Sequence, residues 1–175
     1  MSGFRRRIMS LISKSKVTAT TDCWLYALDS DHNYLEMTNV SNAYTHDVSS
    51  TSQATAKMAQ GVGEVTYFYF KFNTSAIPAN ATIKSVSCIA KVGRSTSVQT
   101  RISNPKIQLA SGYTLKGTAT SVTGNTQFTM SPGTWTRQEI SDAKLYYQAT
   151  RGTESATNNY TIYVYAARLR VTYEI

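Results

Sequence analysis

The chain has 175 residues, 41% hydrophobic and only 16% charged, enough to bury one real core and too apolar for a disordered composition. Its +8 net charge is uneven: Arg5, Arg6, Arg7, Lys14 and Lys16 precede the first acidic residue, and the rest of the chain carries only +3. A basic arm on a nearly neutral body argues against a broad nucleic-acid face, and no apolar run approaches the roughly 18 residues of a membrane span.

The first stretch, MSGFRRRIMSLISKSK, is the one strongly helix-compatible segment. Phe4, Ile8, Leu11 and Ile12 fall on one helical face, Ser2 can cap it, and the arginines lie on the flank. Such an arm can dock into a partner groove, lie on a membrane or touch nucleic acid. The plainer alternative is a basic terminus that never orders. The arm lacks the apolar core and small-residue cleavage site of a secretory signal.

Val17 to Leu28 alternates as a strand and carries Cys23. Cys88 lies in a later strand, and a lone pair without a secretory signal reads as two buried free thiols rather than a disulfide. The loop DSDHN follows. Asp29, Asp31 and Asn33 match the first spacings of a calcium loop, but Tyr34 stands where its glycine belongs and Glu36 comes too early. An Asx-rich turn is the simpler reading, and no metal or other cofactor is expected. Short strands are expected over Tyr34–Val40 and Gln53–Met58, with a polar loop between them.

Val65 to Phe72 is the strongest internal strand. Phe68, Phe70 and Phe72 share one face; Tyr67, Tyr69 and Lys71 share the other. After a connection through Pro78, a strand runs from Ile83 to Val92, with Gly93 ending it. Val98–Ile102, Lys106–Ala110 and Gln127–Met130 read as short strands, and Gly112, Gly117 and Gly124 as turns. Thr136 and Glu139 form a capping box, predicting a helical turn or two over Thr136–Ala143. Lys144–Ala149 is a strand with Leu145, Tyr147 and Ala149 inward, followed by a polar loop over Arg151–Asn159.

The last stretch, YTIYVYAARLRVTYEI, has the cleanest pattern. From Ala167 every second residue is apolar, and Ala166–Ala167 mark a bend or bulge. Such a strand needs a sheet to pair with. About ten strands, with turn signals every 8–12 residues, predict an all-β domain over 17–175: an antiparallel β-sandwich or jelly roll with one short helix. Residues 1–16 form a separate basic amphipathic arm.

Three stretches in this order carry a family resemblance: YFYFKFNTSAIPANATIKSVSCIAKV (67–92), TWTRQEISDAKLYY (134–147) and YAARLRVTYEI (165–175). Together they cover roughly residues 53–175 and resemble the β-sandwich modules of the DNRLRE type. With GFRRR near one end and VTYE near the other, the chain also resembles small structural proteins of tailed bacteriophages. That resemblance implies a virion component (capsid decoration, fibre, collar or tail) assembled in the host cytoplasm, as a homo-oligomer.

On this reading Phe4, Arg5, Arg6, Arg7, Ile8, Leu11 and Ile12 anchor the protein to other virion proteins. Arginine forks pair with carboxylates while the apolar residues fill a groove. Arm contact with packaged DNA would leave those apolar residues unexplained, so nucleic acid is not favoured as partner. The alternative function is a carbohydrate-binding or receptor-recognition module. Tyr67, Tyr69, Tyr163 and Tyr165 lie opposite the core faces of their strands and could form a platform for a surface glycan. Tyrosine is also an ordinary strand residue, and Trp24 and Trp135 read as packing residues. An enzyme is not expected. His32 and His46 are the only histidines, each in a polar loop without a nucleophile motif, and carboxylates are sparse.

Overall fold

The computed structural model describes residues 16–29, 37–57, 65–95, 100–110, 112–130, 135–151 and 161–175. The described residues form eleven strands: β1 (Thr18–Leu28), β2 (Met37–Thr38), β3 (Ala54–Lys57), β4 (Val65–Phe72), β5 (Thr82–Arg94), β6 (Thr100–Ile102), β7 (Lys106–Leu109), β8 (Leu115–Ala119), β9 (Gly124–Met130), β10 (Ala143–Arg151) and β11 (Thr161–Glu174). One short helix, α1 (Arg137–Asp142), precedes β10, and a 3-10 turn spans Val40–Tyr44. The all-β class and the single short helix are as the sequence predicts.

Strand β11 organises the sheet. It pairs with β5 from Ile162↔Arg94 to Glu174↔Thr82. Its second half also pairs with β1, from Arg168↔Trp24 to Glu174↔Thr18, and its first half with β3. The pattern read from the sequence holds here: Ala167, Leu169, Val171 and Tyr173 are buried, and the register against β5 shifts between Val164 and Ala166. That shift is the bulge signalled by the two alanines; both are fully buried, and Ala167 joins the core cluster.

Eight strands close a circuit in the order β1-β4-β10-β7-β8-β9-β5-β11, and β11 returns to β1. β3 and β2 extend from β11 outside this circuit, and β6 flanks β10. The predicted sandwich thus appears as one closed antiparallel barrel rather than two separate sheets. Two short ladders make the difference. β1 meets β4 only at Leu25, Ala27 and Leu28, across a register shift. β8 meets β9 only from Gly117 to Ala119. These corners join a wall of β1, β11, β5 and β9 to a wall of β4, β10, β7 and β8. Alternation in a sequence reports which face is buried, and it carries no information about whether two sheet edges will bond.

The core lies between the walls. Phe68, Phe70, Leu145, Tyr147 and Ile107 come from one wall; Leu25, Val92, Ile162, Leu169 and Val171 come from the other. Burial of each such side chain contributes about 1.5–3 kcal/mol. The phenol of Tyr147 donates to the carbonyls of Val122 (3.0 Å) and Gly93 (3.4 Å), which satisfies its one polar group inside the core.

Cys23 and Cys88 are free and buried, pairing with Leu169 from its two sides. Two strand spacings, about 9–10 Å, separate them, beyond the reach of a disulfide. Burial pushes the Cys23 thiol up to about 11 and raises that of Cys88 as well.

Helix α1 carries the predicted box. The Glu139 amide donates to Thr136 Oγ1 (3.1 Å), and the Thr136 amide donates to Glu139 Oε2 (2.8 Å). Arg137 donates to the carbonyls of Thr74 and Ile77, fixing the β4–β5 connection against the helix.

Three local expectations are corrected. The expected strand over Tyr34–Val40 is reduced, within the described residues, to Met37–Thr38 before the chain enters the 3-10 turn. Gly93 continues β5 rather than ending it; a Cβ there would approach the Tyr165 ring to 3.2 Å, so the glycine admits an aromatic ring. Gly117 lies within β8, beside the register shift between Ile107 and Gln108. In both cases a glycine inside a strand looked like a turn.

Candidate functional site

The outer face of the β4–β10–β7 wall gathers aromatic side chains through its register. Tyr69 pairs with Tyr146, and Tyr146 pairs with Lys106, so the three share one row. Tyr67 opposes Gln148 one row away; Lys71 opposes Lys144, and Lys144 opposes Gln108, on the other side.

The rings pack closely. Tyr69 and Tyr146 have centroids 4.9 Å apart, and Tyr67 stands edge-on to Tyr69 at 6.1 Å and 79°. Tyr113, from the β7–β8 turn, lies 6.3 Å from Tyr69. The four rings line a depression of about 170 Å3. The Tyr69 hydroxyl donates to Gln108 Oε1 (3.1 Å), and the Tyr146 hydroxyl donates to Gln148 Oε1. The Lys106 ammonium stands 5.8 Å from the Tyr146 centroid. Burial, then the neighbouring phenols, push the Tyr69 hydroxyl up to about 12, and burial raises Tyr146 too, so both stay neutral at physiological pH.

Tyr113 holds its place at a cost. It has a left-handed backbone (φ 54°) next to Gly112 (φ 71°), in a turn closed by the Leu109 amide on the Thr114 carbonyl (2.9 Å). A bulky residue in that region costs about 1 kcal/mol or more. The residue is also 55% exposed. Glycine or asparagine would take the same turn with less strain, yet a tyrosine stands there, over Tyr69.

Beside the tyrosines lies an ion cluster. Asp29, 1% exposed at the end of β1, pairs with Lys144 through Oδ2 and with Lys71 through Oδ1 (3.4 Å). Desolvation raises the Asp29 carboxyl, but the hydrogen bond and charge of Lys144, then Lys71, outweigh it and hold it below the usual range. Asp29 is therefore the partner of the buried Lys144 and the half-exposed Lys71; Asp31 and Asn33, the other residues of the expected Asx-rich turn, lie outside the described residues. Among the described residues no cluster of His, Cys, Asp and Glu could hold a metal.

Lys71 and Lys144 also border a larger cleft of about 510 Å3, lined in addition by Tyr26, Asn73, Ser75, Ser141 and Asp142.

The predicted four-tyrosine platform splits. Tyr67 and Tyr69 join Tyr146 and Tyr113, whereas Tyr163 and Tyr165 form a separate pair on β11 (6.4 Å), with Lys91 over Tyr165 at 4.9 Å. β4 and β11 lie in different walls, so the two pairs cannot share a ligand surface. Tyr146 was legible in the sequence, since Leu145 and Tyr147 inward put Tyr146 outward. Tyr113 had no periodic signal. Trp135 is buried and Trp24 stacks on His46 (5.5 Å, 15°) and under Arg168, so both are packing residues as read. His32 and the arm residues Phe4, Arg5, Arg6, Arg7, Ile8, Leu11 and Ile12 lie outside the described residues.

No protein-family model matches the chain, and neither the curated proteins nor the solved structures contain a match to it. Among the described residues no helix is long and apolar enough to cross a membrane.

Proposed function

We propose that this chain is a structural protein of a bacteriophage virion, anchored through its arm (1–16) to other virion proteins, with the barrel turned outward. The position of the arm's root carries this reading. Val17 and Ile175 exchange backbone hydrogen bonds (3.3 and 3.1 Å) at the β1–β11 seam. Val17 therefore sits on the wall of β1 and β11, while the tyrosine face belongs to the wall of β4, β10 and β7.

The strand order supports a jelly-roll reading of the barrel. Counting the circuit strands along the chain, the first pairs with the eighth, the second with the seventh, the third with the sixth and the fourth with the fifth. That is one antiparallel ribbon wound up, and its two walls then correspond to the two sheets expected from the sequence. Assembly in the host cytoplasm accords with two unpaired thiols.

A second reading, recognition of a surface carbohydrate, is favoured by the 510 Å3 cleft, whose hydroxyl, amide and ring lining matches saccharide chemistry. It is compatible with the first, as a virion protein can be both anchored and adhesive.

Two arm variants of the full chain test the anchor. Phe4, Ile8 and Leu11 changed to Ser should abolish assembly in sedimentation. Arg5, Arg6 and Arg7 changed to Ser should weaken it in a salt-dependent way. Normal assembly by the apolar variant would overturn the anchor reading.

A further inference from the structure

The tyrosine depression on the β4–β10–β7 wall has properties that structural packing alone does not require. Its two buried hydroxyl groups, on Tyr69 and Tyr146, are turned to glutamines of the sheet. The lining it offers is aromatic ring together with phenol oxygen, without a charged group among its four residues. Ring faces carry negative potential and attract cations, most strongly weakly hydrated quaternary ammonium groups. At about 170 Å3 the depression is well below the roughly 300–1,000 Å3 of pockets for drug-sized ligands, which suits one compact group.

The rim supplies the complement. Lys106 stands by Tyr146 and has no ion-pair partner among the described residues. A bare cation entering here would meet its repulsion. A ligand carrying an anion next to its ammonium would use Lys106 instead. Finally, Tyr113 is held over Tyr69 by a left-handed residue, and such outliers persist where the position serves something besides stability.

We propose that Tyr67, Tyr69, Tyr113 and Tyr146 form an aromatic cage for a phosphocholine group, its quaternary ammonium against the ring faces and its phosphate on Lys106. The group can be borne by a lipid headgroup or by a soluble choline-bearing molecule. The inference does not rest on the virion reading, and it would stand if the arm test failed.

The test is calorimetric titration of the full chain with phosphocholine, phosphoethanolamine, choline and inorganic phosphate, with phosphatidylcholine vesicles in a sedimentation arm. Phosphocholine should bind with a Kd of about 1 mM or tighter. Phosphoethanolamine, lacking the methyl groups, should bind roughly fivefold or more weakly. Tyr113→Ser removes an exposed, strained ring without touching the core, and should weaken phosphocholine about fivefold. Lys106→Gln should weaken phosphocholine while leaving choline unchanged. Vesicle binding assigns the group to lipid; binding of free phosphocholine without vesicle binding assigns it to a soluble carrier. The proposal is overturned if phosphocholine does not bind, if it binds no better than inorganic phosphate, or if Tyr113→Ser binds as the parent does.

Discussion

Replacing Asp29 with Asn should destabilise the protein more than any other single loss of charge. The Asp29 carboxylate is 1% exposed and touches two ammonium groups, Lys144 with an 11% exposed side chain and Lys71 with a 40% exposed one. Lys71 can turn to water, so its half of the cluster contributes little. Lys144 cannot do so fully, and its charge would be left buried against an amide. Breaking a buried pair from one side costs about 3–5 kcal/mol; access to the neighbouring cleft puts Lys144 near the lower figure. A loss of about 3 kcal/mol should lower the Tm by about 6–12 °C in a chain of this size. Urea unfolding at pH 7, followed by far-UV circular dichroism, gives the free energy. The double variant Asp29→Asn, Lys144→Met removes the stranded charge and should recover at least half of the loss. If Asp29→Asn lies within about 1 kcal/mol of the parent, or if the double variant is the less stable of the two, the buried-charge reasoning is wrong.

Acid should act through the same group. The carboxyls of Asp29, Asp22, Glu139 and Glu174 are all held low, Asp22 chiefly by its hydrogen bond from Arg170, Glu139 by Lys116 and Glu174 by Lys84. A lowered carboxyl binds fewer protons folded than unfolded, so its contribution is complete above the unfolded pKa of about 4 and is lost as pH falls through the folded value. Urea midpoints should be flat from pH 6 to 8 and drop below about pH 4, and the drop should shrink in Asp29→Asn. Thr136→Ala removes the Oγ1 acceptor of the Glu139 amide, leaving the backbone half of the capping box, and should cost about 1 kcal/mol in the same assay. Neither cysteine should react with a thiol reagent at pH 8 in the native protein, and both should react in denaturant; labelling of the native protein would contradict the burial of Cys23 and Cys88. Tyr147→Phe should cost about 1 kcal/mol by stranding the Val122 carbonyl, with little change in packing.

Strands whose two faces differ were legible in the chain. β4 was read to its residues because Phe68, Phe70 and Phe72 face the core and Tyr67 and Tyr69 do not. α1 was read through Thr136 and Glu139, a local hydrogen-bond pair that needs no tertiary context. β8 was missed because Gly117 interrupts a short run with a turn-like residue. Circuit closure was out of reach for a different reason: Cys23 and Cys88 pair with the same Leu169 across long separations in sequence, and side-chain alternation does not encode such partners.

The candidate site was half legible. Outward positions could be counted, which gave Tyr67 and Tyr69 and implied Tyr146. Which outward residues share a wall depends on strand order, and that separated Tyr163 and Tyr165 from the others. Tyr113 arrives by a left-handed turn, a conformation that its residue type argues against. The Asp29 cluster was masked by its own spacing, since Asp29 sits where a calcium loop would begin while its partners lie far along the chain, at Lys71 and Lys144.

The central claim is that the arm holds the protein in an assembly and the barrel folds without it. Light scattering of the full chain against residues 17–175, with circular dichroism on both, addresses it directly. The account expects the full chain to form a defined assembly and the shortened chain to be a folded monomer with the same β spectrum. Equal masses for the two would contradict it and place the interface on the barrel itself.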